Sequence, residues 1–302
     1  MLSRTALVMF AIFVAAGASA KPLVVPFDFS RSEIALDVTV KGTPLYVLLD
    51  TGVDPSAIDL GRAGALHLKV DRGSGGEASG VGNAKHVEMY AATIDGLAVG
   101  GQSFPPIDAA ASDFGALSAH YGRKLDGMLG YSFLKDKIVL IAYPAHTLAL
   151  LDRVGDAAPL TRSCRSRWNA PLQLLEGENW PVLPQFRIGK ATFAATLDTG
   201  SSGSVTLYPG VLDLPGVRAA LTRKGEASSA GFRGSSALVE YAVNAPMGFG
   251  PFRLPPGGNA TLRDVKTPGV LANVGNKLFA ALKLKMLLDY RGKTMTFFGD
   301  CR

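Results

Sequence analysis

The tripeptide Asp-Thr-Gly occurs twice in this sequence of 302 residues, at Asp50-Thr51-Gly52 and at Asp198-Thr199-Gly200. Each copy follows a largely apolar run and falls at a comparable place in its half of the chain. Two carboxylates held close together share one proton, because ionising both is unfavourable. The ionised member can take a proton from water while the protonated member donates to a carbonyl oxygen. The two copies therefore indicate two half-sites of a hydrolytic centre that requires no metal, cofactor or histidine.

Alternating apolar residues predict that β-strands carry these loops. The large apolar residues of segment 34–40 fall at every second position, as in a half-buried strand. The same reasoning predicts strands at 88–94, 137–141, 148–151, 238–243, 284–288 and 294–298. The 35 glycines and 18 prolines punctuate short strands. Helical candidates are confined to 54–66, part of 209–223 and 277–282, so the predicted fold class is all-β.

The chain also repeats itself with a period of about half its length. Met128-Leu129-Gly130 and Asn273-Val274-Gly275 follow their respective Asp-Thr-Gly copies at nearly equal distances. In both halves a phenylalanine, a strand ending at a tyrosine and a final strand come next. This repeat predicts two similar lobes. The expected organisation is a signal peptide at 1–20, an N-terminal lobe at 21–156 and a C-terminal lobe at 157–302.

In combination, these motifs resemble those of the aspartic protease family. The segments that carry the resemblance are 48–52, 126–134, 196–202, 273–279 and 289–293. In size and motif the lobes are closer to the retroviral-type, or retropepsin-like, unit than to a pepsin-like lobe. The resemblance covers nearly all of the chain after residue 20. It implies two acid-protease-type β-barrel lobes with an active-site cleft between them, and aspartic-type endopeptidase activity.

By this resemblance the catalytic pair is Asp50 and Asp198. The resemblance implies that Thr51 and Thr199 cross-link the two loops and that Gly52 and Gly200 shape them. It also implies that Gly130 and Gly275 pass beneath the loops. Ser201 follows the second motif and is expected to donate to the outer oxygen of Asp198, whereas Val53 at the matching position cannot donate. Because a hydrogen bond to the charged form lowers a pKa, we expect Asp198 to be the more acidic member and Asp50 to hold the shared proton.

A glycine-rich hairpin, the flap, usually closes over the substrate in this fold. The candidates are residues 73–85 in the first half and 224–236 in the second. Neither carries the Tyr-Gly pair of pepsin-like enzymes, so the sequence does not assign the flap.

The first twenty residues have the pattern of an export signal. Arg4 gives a positive start, residues 6–16 form a short apolar core, and Ala18-Ser19-Ala20 matches a cleavage site. The apolar run is too short to span a bilayer, so we expect a periplasmic or secreted protein without stable membrane insertion. Cys164 and Cys301 are the two cysteines, and in an oxidising compartment they can form a disulfide. Two buried free thiols are the alternative.

Composition narrows the class and the partners. Hydrophobic content of 47% with 19% charged residues is typical of a globular protein and excludes wholesale disorder. The net charge of +6 is spread thinly, and the tight basic run at 162–167 has no interleaved aromatic residue, so nucleic acid is not an expected partner. The four histidines are isolated and lack metal-ligand spacing. We expect a polypeptide substrate in extended conformation, and a monomer because one chain supplies both half-sites.

Three alternatives stay open at the level of sequence. Each Asp-Thr-Gly could form a tight turn in which the aspartate caps its own backbone. The two lobes could bind an extended peptide or polymer of the cell envelope without cutting it. The carboxylate pair could also form between two chains of a homodimer.

Overall fold

A computed structural model gives the fold and describes residues 21–77, 87–265 and 267–302. Within these residues strands dominate and helices are short, which confirms the all-β prediction. The predicted signal peptide and residues 78–85 of the first flap candidate lie outside the described residues. No helix in the described ranges is long and apolar enough to cross a membrane.

The described strands of the first half are β1 (Leu23–Pro26), β2 (Ala35–Val40), β3 (Thr43–Leu49), β4 (Ser56–Asp59), β5 (Lys69–Glu77), β6 (Glu88–Ile94), β7 (Leu97–Val99), β8 (Gln102–Ser103), β9 (Ile107–Ser112), β10 (Gly127–Leu129), β11 (Ile138–Ala142) and β12 (Thr147–Leu151). Its helices are α1 (Leu60–Ala65), α2 (Gly115–Tyr121) and α3 (Tyr131–Leu134), with 3-10 turns at Tyr143–Ala145 and Val154–Ala157.

The described strands of the second half are β13 (Cys164–Pro171), β14 (Gln173–Leu174), β15 (Pro181–Ile188), β16 (Ala191–Leu197), β17 (Val205–Leu207), β18 (Leu221–Gly231), β19 (Gly234–Val243), β20 (Met247–Phe249), β21 (Phe252–Leu254), β22 (Gly258–Leu262), β23 (Ala272–Val274), β24 (Lys285–Asp289) and β25 (Thr294–Cys301). Its helices are α4 (Ala158–Thr161) and α5 (Asn276–Ala281), with 3-10 turns at Pro209–Asp213 and Arg218–Ala220.

Each lobe is built on one sheet, and the two sheets have the same strand order. The first runs β5-β6-β9-β4-β10-β3-β2-β7-β8, and the second runs β18-β19-β22-β17-β23-β16-β15-β20-β21. The parallel pairings also match, since β10 lies along β3 as β23 lies along β16. The repeat in the sequence is therefore a repeat of structure, and two similar lobes are present as predicted.

A third sheet joins the two halves, in the order β1-β12-β11-β24-β25-β13. Its central pairing is between β11 of the first half and β24 of the second, in antiparallel register. Strand β13 pairs with β25 and sets Cys164 opposite Cys301, and the two cysteines form a disulfide. The lobe boundary predicted after residue 156 falls in the connection between β12 and β13, and it stays a prediction.

Burial explains where the helix predictions fail. Residues 54–66 are helical only from Leu60, because the preceding Ser56–Asp59 is strand β4, which lies between β9 and β10. Ala57 and Ile58 are buried there, and this packing outweighs the local helix preference. The Asp59 carboxylate accepts from the N–H of Arg62 and caps the shortened helix. Residues 209–223 form two 3-10 turns and the start of β18.

Candidate active site

Both Asp-Thr-Gly loops leave the end of a central strand, β3 in one lobe and β16 in the other. The N–H of Asp50 donates to the carbonyl of Leu129 at 3.0 Å. The N–H of Asp198 donates to the carbonyl of Val274, also at 3.0 Å. Strands β10 and β23, which contain the first residues of the downstream glycine signatures, therefore hold the two loops in equivalent positions.

The two threonines cross-link the loops through four hydrogen bonds. Thr51 Oγ1 donates to the carbonyl of Leu197 at 2.8 Å and accepts from the N–H of Thr199 at 3.1 Å. Reciprocally, Thr199 Oγ1 donates to the carbonyl of Leu49 at 2.8 Å and accepts from the N–H of Thr51 at 3.0 Å. Both threonines are buried, so these bonds are shielded from competing water. The structure thus places Thr51 and Thr199 where they fix one loop against the other.

The structure brings the two aspartates together within one chain. The carboxyl of Asp50 lies against Gly200 of the other loop, and the carboxyl of Asp198 lies against Gly52, so the two acidic groups share one site. The N–H of Gly52 donates to Asp50 Oδ1 at 2.7 Å, and the N–H of Gly200 donates to Asp198 Oδ1 at 2.9 Å. Burial, followed by the neighbouring charge of Asp198, raises the pKa of Asp50 well above its ordinary value. One proton is therefore held between the two carboxyls.

The loop glycines leave room for this meeting of carboxyls. A Cβ on Gly52 would lie 2.9 Å from Oδ1 of Asp198, and a Cβ on Gly200 would overlap the carboxylate of Asp50. Any side chain at either position would therefore push the opposite aspartate away.

The glycines of the downstream signatures pass close beneath the same loops. A Cβ on Gly275 would lie 2.6 Å from the carbonyl oxygen of Gly203, and one on Gly130 would overlap the carbonyl of Val53. The absence of a side chain at these two positions lets β10 and β23 approach the loops that they support.

The surroundings of the two aspartates differ. Asn273 Nδ2 donates to Asp198 Oδ2 at 2.8 Å, and Thr196 Oγ1 donates to Asn273 Oδ1 at 2.6 Å, which fixes the orientation of the amide. In the other lobe the corresponding pair is Leu48 and Met128, as the strand register shows. Burial raises the pKa of Asp198, but the hydrogen bond from Asn273 opposes that rise.

The prediction that Ser201 donates a hydrogen bond to Asp198 is wrong. Within the described part of the chain its hydroxyl accepts from the N–H of Gly203 at 3.4 Å, and Asn273 takes the place beside Asp198. Asn273, in place of Ser201, therefore makes Asp198 the more readily ionised member of the pair, and Asp50 holds the proton. Aligning the two downstream signatures residue by residue, Met128 against Asn273, would have exposed this difference.

A cleft of about 1570 Å³ contains both aspartates, a volume sufficient for several residues of a peptide. Strands β5 and β6 line it from one lobe, and the hairpin of β18 and β19 lines it from the other. This second hairpin corresponds to the flap candidate 224–236. The ring of Phe232 at its tip packs edge-on against Phe114 of the first lobe, with ring centres 5.1 Å apart. The hairpin therefore reaches from one lobe to the other.

Comparisons with known proteins agree with this geometry. Residues 36–133 match the model of a family described as aspartyl protease, a segment that includes Asp50 and Gly130. The crystal structure of basic 7S globulin from soybean matches with a TM-score of 0.51 and 12% sequence identity, over 93% of this chain and 95% of that one. This second match shows a shared fold. No curated protein matches the sequence. The resemblance to aspartic proteases is confirmed by sequence in the first lobe, and the shared fold extends over both lobes.

Proposed function

We propose that this protein is an exported aspartic endopeptidase in which Asp50 and Asp198 activate a water molecule. The observation that carries the proposal is the meeting of the two carboxyls in one site, where each lies against the glycine of the opposite loop and accepts from the N–H of its own loop glycine. The threonine cross-link keeps the pair at a fixed separation. Two carboxyls that share one proton form an acid and a base in a single site.

The asymmetry assigns the two roles. Asp198, stabilised as an anion by Asn273, takes a proton from water as the water oxygen bonds to the peptide carbonyl carbon. Asp50 carries the shared proton and donates it to the carbonyl oxygen, which gives a tetrahedral intermediate. Transfer of the proton from Asp198 to the amide nitrogen then allows the C–N bond to break, while Asp50 recovers its proton as the carbonyl reforms. The products are a carboxyl group and an amine.

The cleft supports a polypeptide as the substrate. Its walls include backbone of strands from both lobes, and an extended peptide can pair with such strands through main-chain hydrogen bonds. Main-chain pairing does not depend on the identity of the side chains. The cleft can therefore take segments from the interior of an unfolded chain.

Two features support export. The sequence begins with a leader pattern, and the disulfide between Cys164 and Cys301 is of a kind that persists in oxidising compartments. We infer that the protein acts in the periplasm or outside the cell.

The test is a digestion of a denatured protein between about pH 3 and about pH 7, followed by mass spectrometry of the fragments. We expect internal cuts under acidic conditions, because one carboxyl must stay protonated. A statine-type inhibitor should abolish them. A folded protein that binds the unfolded chain without cutting it, at any pH in this range, would instead favour a non-catalytic binding protein.

A further inference from the structure

Both walls of the cleft mix apolar, polar and charged residues. The wall from the first lobe includes an apolar group, made of Leu48, Val53, Leu117, Tyr121 and Met128, as well as acidic residues such as Glu33 and Asp108. The wall from the second lobe, called here the polar wall, includes Thr196, Thr206, Tyr208, Arg263 and Thr267. Arg263 is the charged residue of this group, and Glu178, Asp264 and Lys277 also line the second-lobe side of the cleft.

Arg263 stands directly after β22, where its N–H donates to the carbonyl of Leu207 at 3.0 Å. Its Nη2 donates to Ser229 Oγ, on the hairpin, at 2.9 Å. Its Nε is buried without a hydrogen-bond acceptor among the described residues. No carboxylate of the described residues forms a salt bridge with it, although its charge favours ionisation of Asp198. The guanidinium thus lines the cleft, and Ser229 is the side-chain acceptor that its five N–H donors are seen to reach among the described residues.

Burial lowers the pKa of Arg263, but an arginine starts from so high a pKa that it keeps its charge in proteins. The contrast is with Glu33, whose Oε2 is the other buried side-chain atom without a hydrogen-bond partner in the part of the chain that the structure describes. Burial raises the pKa of Glu33, so this carboxyl can become neutral by binding a proton. Arg263 has no such route, and a partly desolvated cation is most stable beside an anion.

We propose that Arg263 makes the polar wall a subsite for a carboxylate, so that the enzyme prefers peptides with aspartate or glutamate on the side of the scissile bond that contacts the second lobe. A carboxylate fits the planar guanidinium through two parallel hydrogen bonds, and the neighbouring threonines can bond its remaining lone pairs. The inference rests on the proposed function, since it names the substrate class of the same site.

The test uses peptides that are identical except at one position, which carries Glu, Gln or Leu. In successive peptide sets this position is moved from three residues before the scissile bond to three residues after it. At about pH 5.5 most of the substrate glutamate is ionised. For the wild type we expect kcat/KM to favour Glu over Gln about 10- to 100-fold at one position, as for a hydrogen bond to a charged group. In Arg263→Gln this ratio should fall to about one, and in Arg263→Lys it should be intermediate. Each ratio is measured within one variant, so a general loss of activity cancels.

Two results would overturn the inference: equal cleavage of Glu and Gln peptides by the wild type at every position, or an unchanged preference in Arg263→Gln. Failure of the proposed function has a different signature, since no peptide would then be cut at all. In that case the same peptides are tested for binding to the wild type by fluorescence anisotropy. Tighter binding of the Glu peptide, lost in Arg263→Gln, would support the subsite without catalysis, and equal binding would contradict it.

Discussion

The side-chain amide of Asn273 donates to Asp198 Oδ2 at 2.8 Å, and Met128 is the residue at the equivalent strand position in the other lobe. A duplicated fold thus surrounds two identical aspartates with different chemistry. An amide donor favours the anion, whereas an apolar neighbour does not. This difference gives the pair a defined base and a defined acid before substrate binds.

Replacing Asn273 by Met should make the two sides alike. Without the hydrogen bond to its charged form, the pKa of Asp198 rises, so a higher pH is needed to ionise the base. The acidic limb of the pH profile of kcat/KM should therefore shift to higher pH, and kcat/KM on that limb should fall by about tenfold or more. Met128→Leu is the matched control and should leave the limb in place. An unshifted limb in Asn273→Met would contradict the assignment of Asp198 as the base.

Thr199→Val should destabilise the protein. Valine keeps the shape but leaves the carbonyl of Leu49 without its donor and the N–H of Thr51 without its acceptor, both in a buried site. Each of the two unsatisfied groups costs about 1–3 kcal/mol, so we expect a loss of about 2–6 kcal/mol in the free energy of unfolding. Denaturant unfolding provides the measurement. Thr199→Ser retains the hydroxyl and should recover most of the stability; a serine variant as unstable as the valine variant would argue against the hydrogen bonds.

The stability of the wild type should depend on the proton held by Asp50. The pKa of this carboxyl is raised in the folded protein, so the folded state binds the proton more tightly than the unfolded chain. That contribution is fully present below the ordinary value of 3.8 and is lost as the pH rises through the raised folded value. Asp50→Asn has no such proton to lose. The melting temperature of Asp50→Asn minus that of the wild type should therefore increase with pH across this window. A difference that does not change with pH would contradict the raised pKa of Asp50.

Loss of the disulfide should lower stability without abolishing the site. Cys164 and Cys301 are 137 positions apart, and closing a loop of this size stabilises a protein by about 4–5 kcal/mol in the chain-entropy model. A variant with serine at both positions should show most of that loss in denaturant unfolding, while a reducing agent should destabilise only the wild type. Equal unfolding of wild type and variant under oxidising conditions would show that the link contributes little.

The sequence could predict the site residues that lie within the Asp-Thr-Gly loops, but not those that strand pairing brings to the site. The aspartates, threonines and glycines sit inside the Asp-Thr-Gly loops, so their chemistry could be inferred from the tripeptide and its repeat. Asn273 and Arg263 reach the site through strand pairing with distant segments, and their side-chain directions follow from that register. Ser201 was the nearest polar residue in sequence, but the turn directs its hydroxyl to Gly203.

The same distinction applies to the fold. Alternation predicted the strand at 88–94 with the observed bounds because it faces the core on one side. At 54–66, pairing with neighbouring strands determined the structure of the first residues, and local propensity did not reveal that pairing.

The most direct test of the central claim is the cleavage rate of one peptide by the wild type and by Asp50→Asn, Asp198→Asn and Asp108→Asn. Asp108 also lines the cleft but lies outside the pair, so its variant controls for the loss of a negative charge there. We expect kcat/KM to fall by about a thousandfold or more in each of the first two variants, since each removes an acid–base group, and to change by less than about threefold in the control. Cleavage by either dyad variant at the wild-type rate, with the fold intact by circular dichroism, would contradict the shared-proton mechanism.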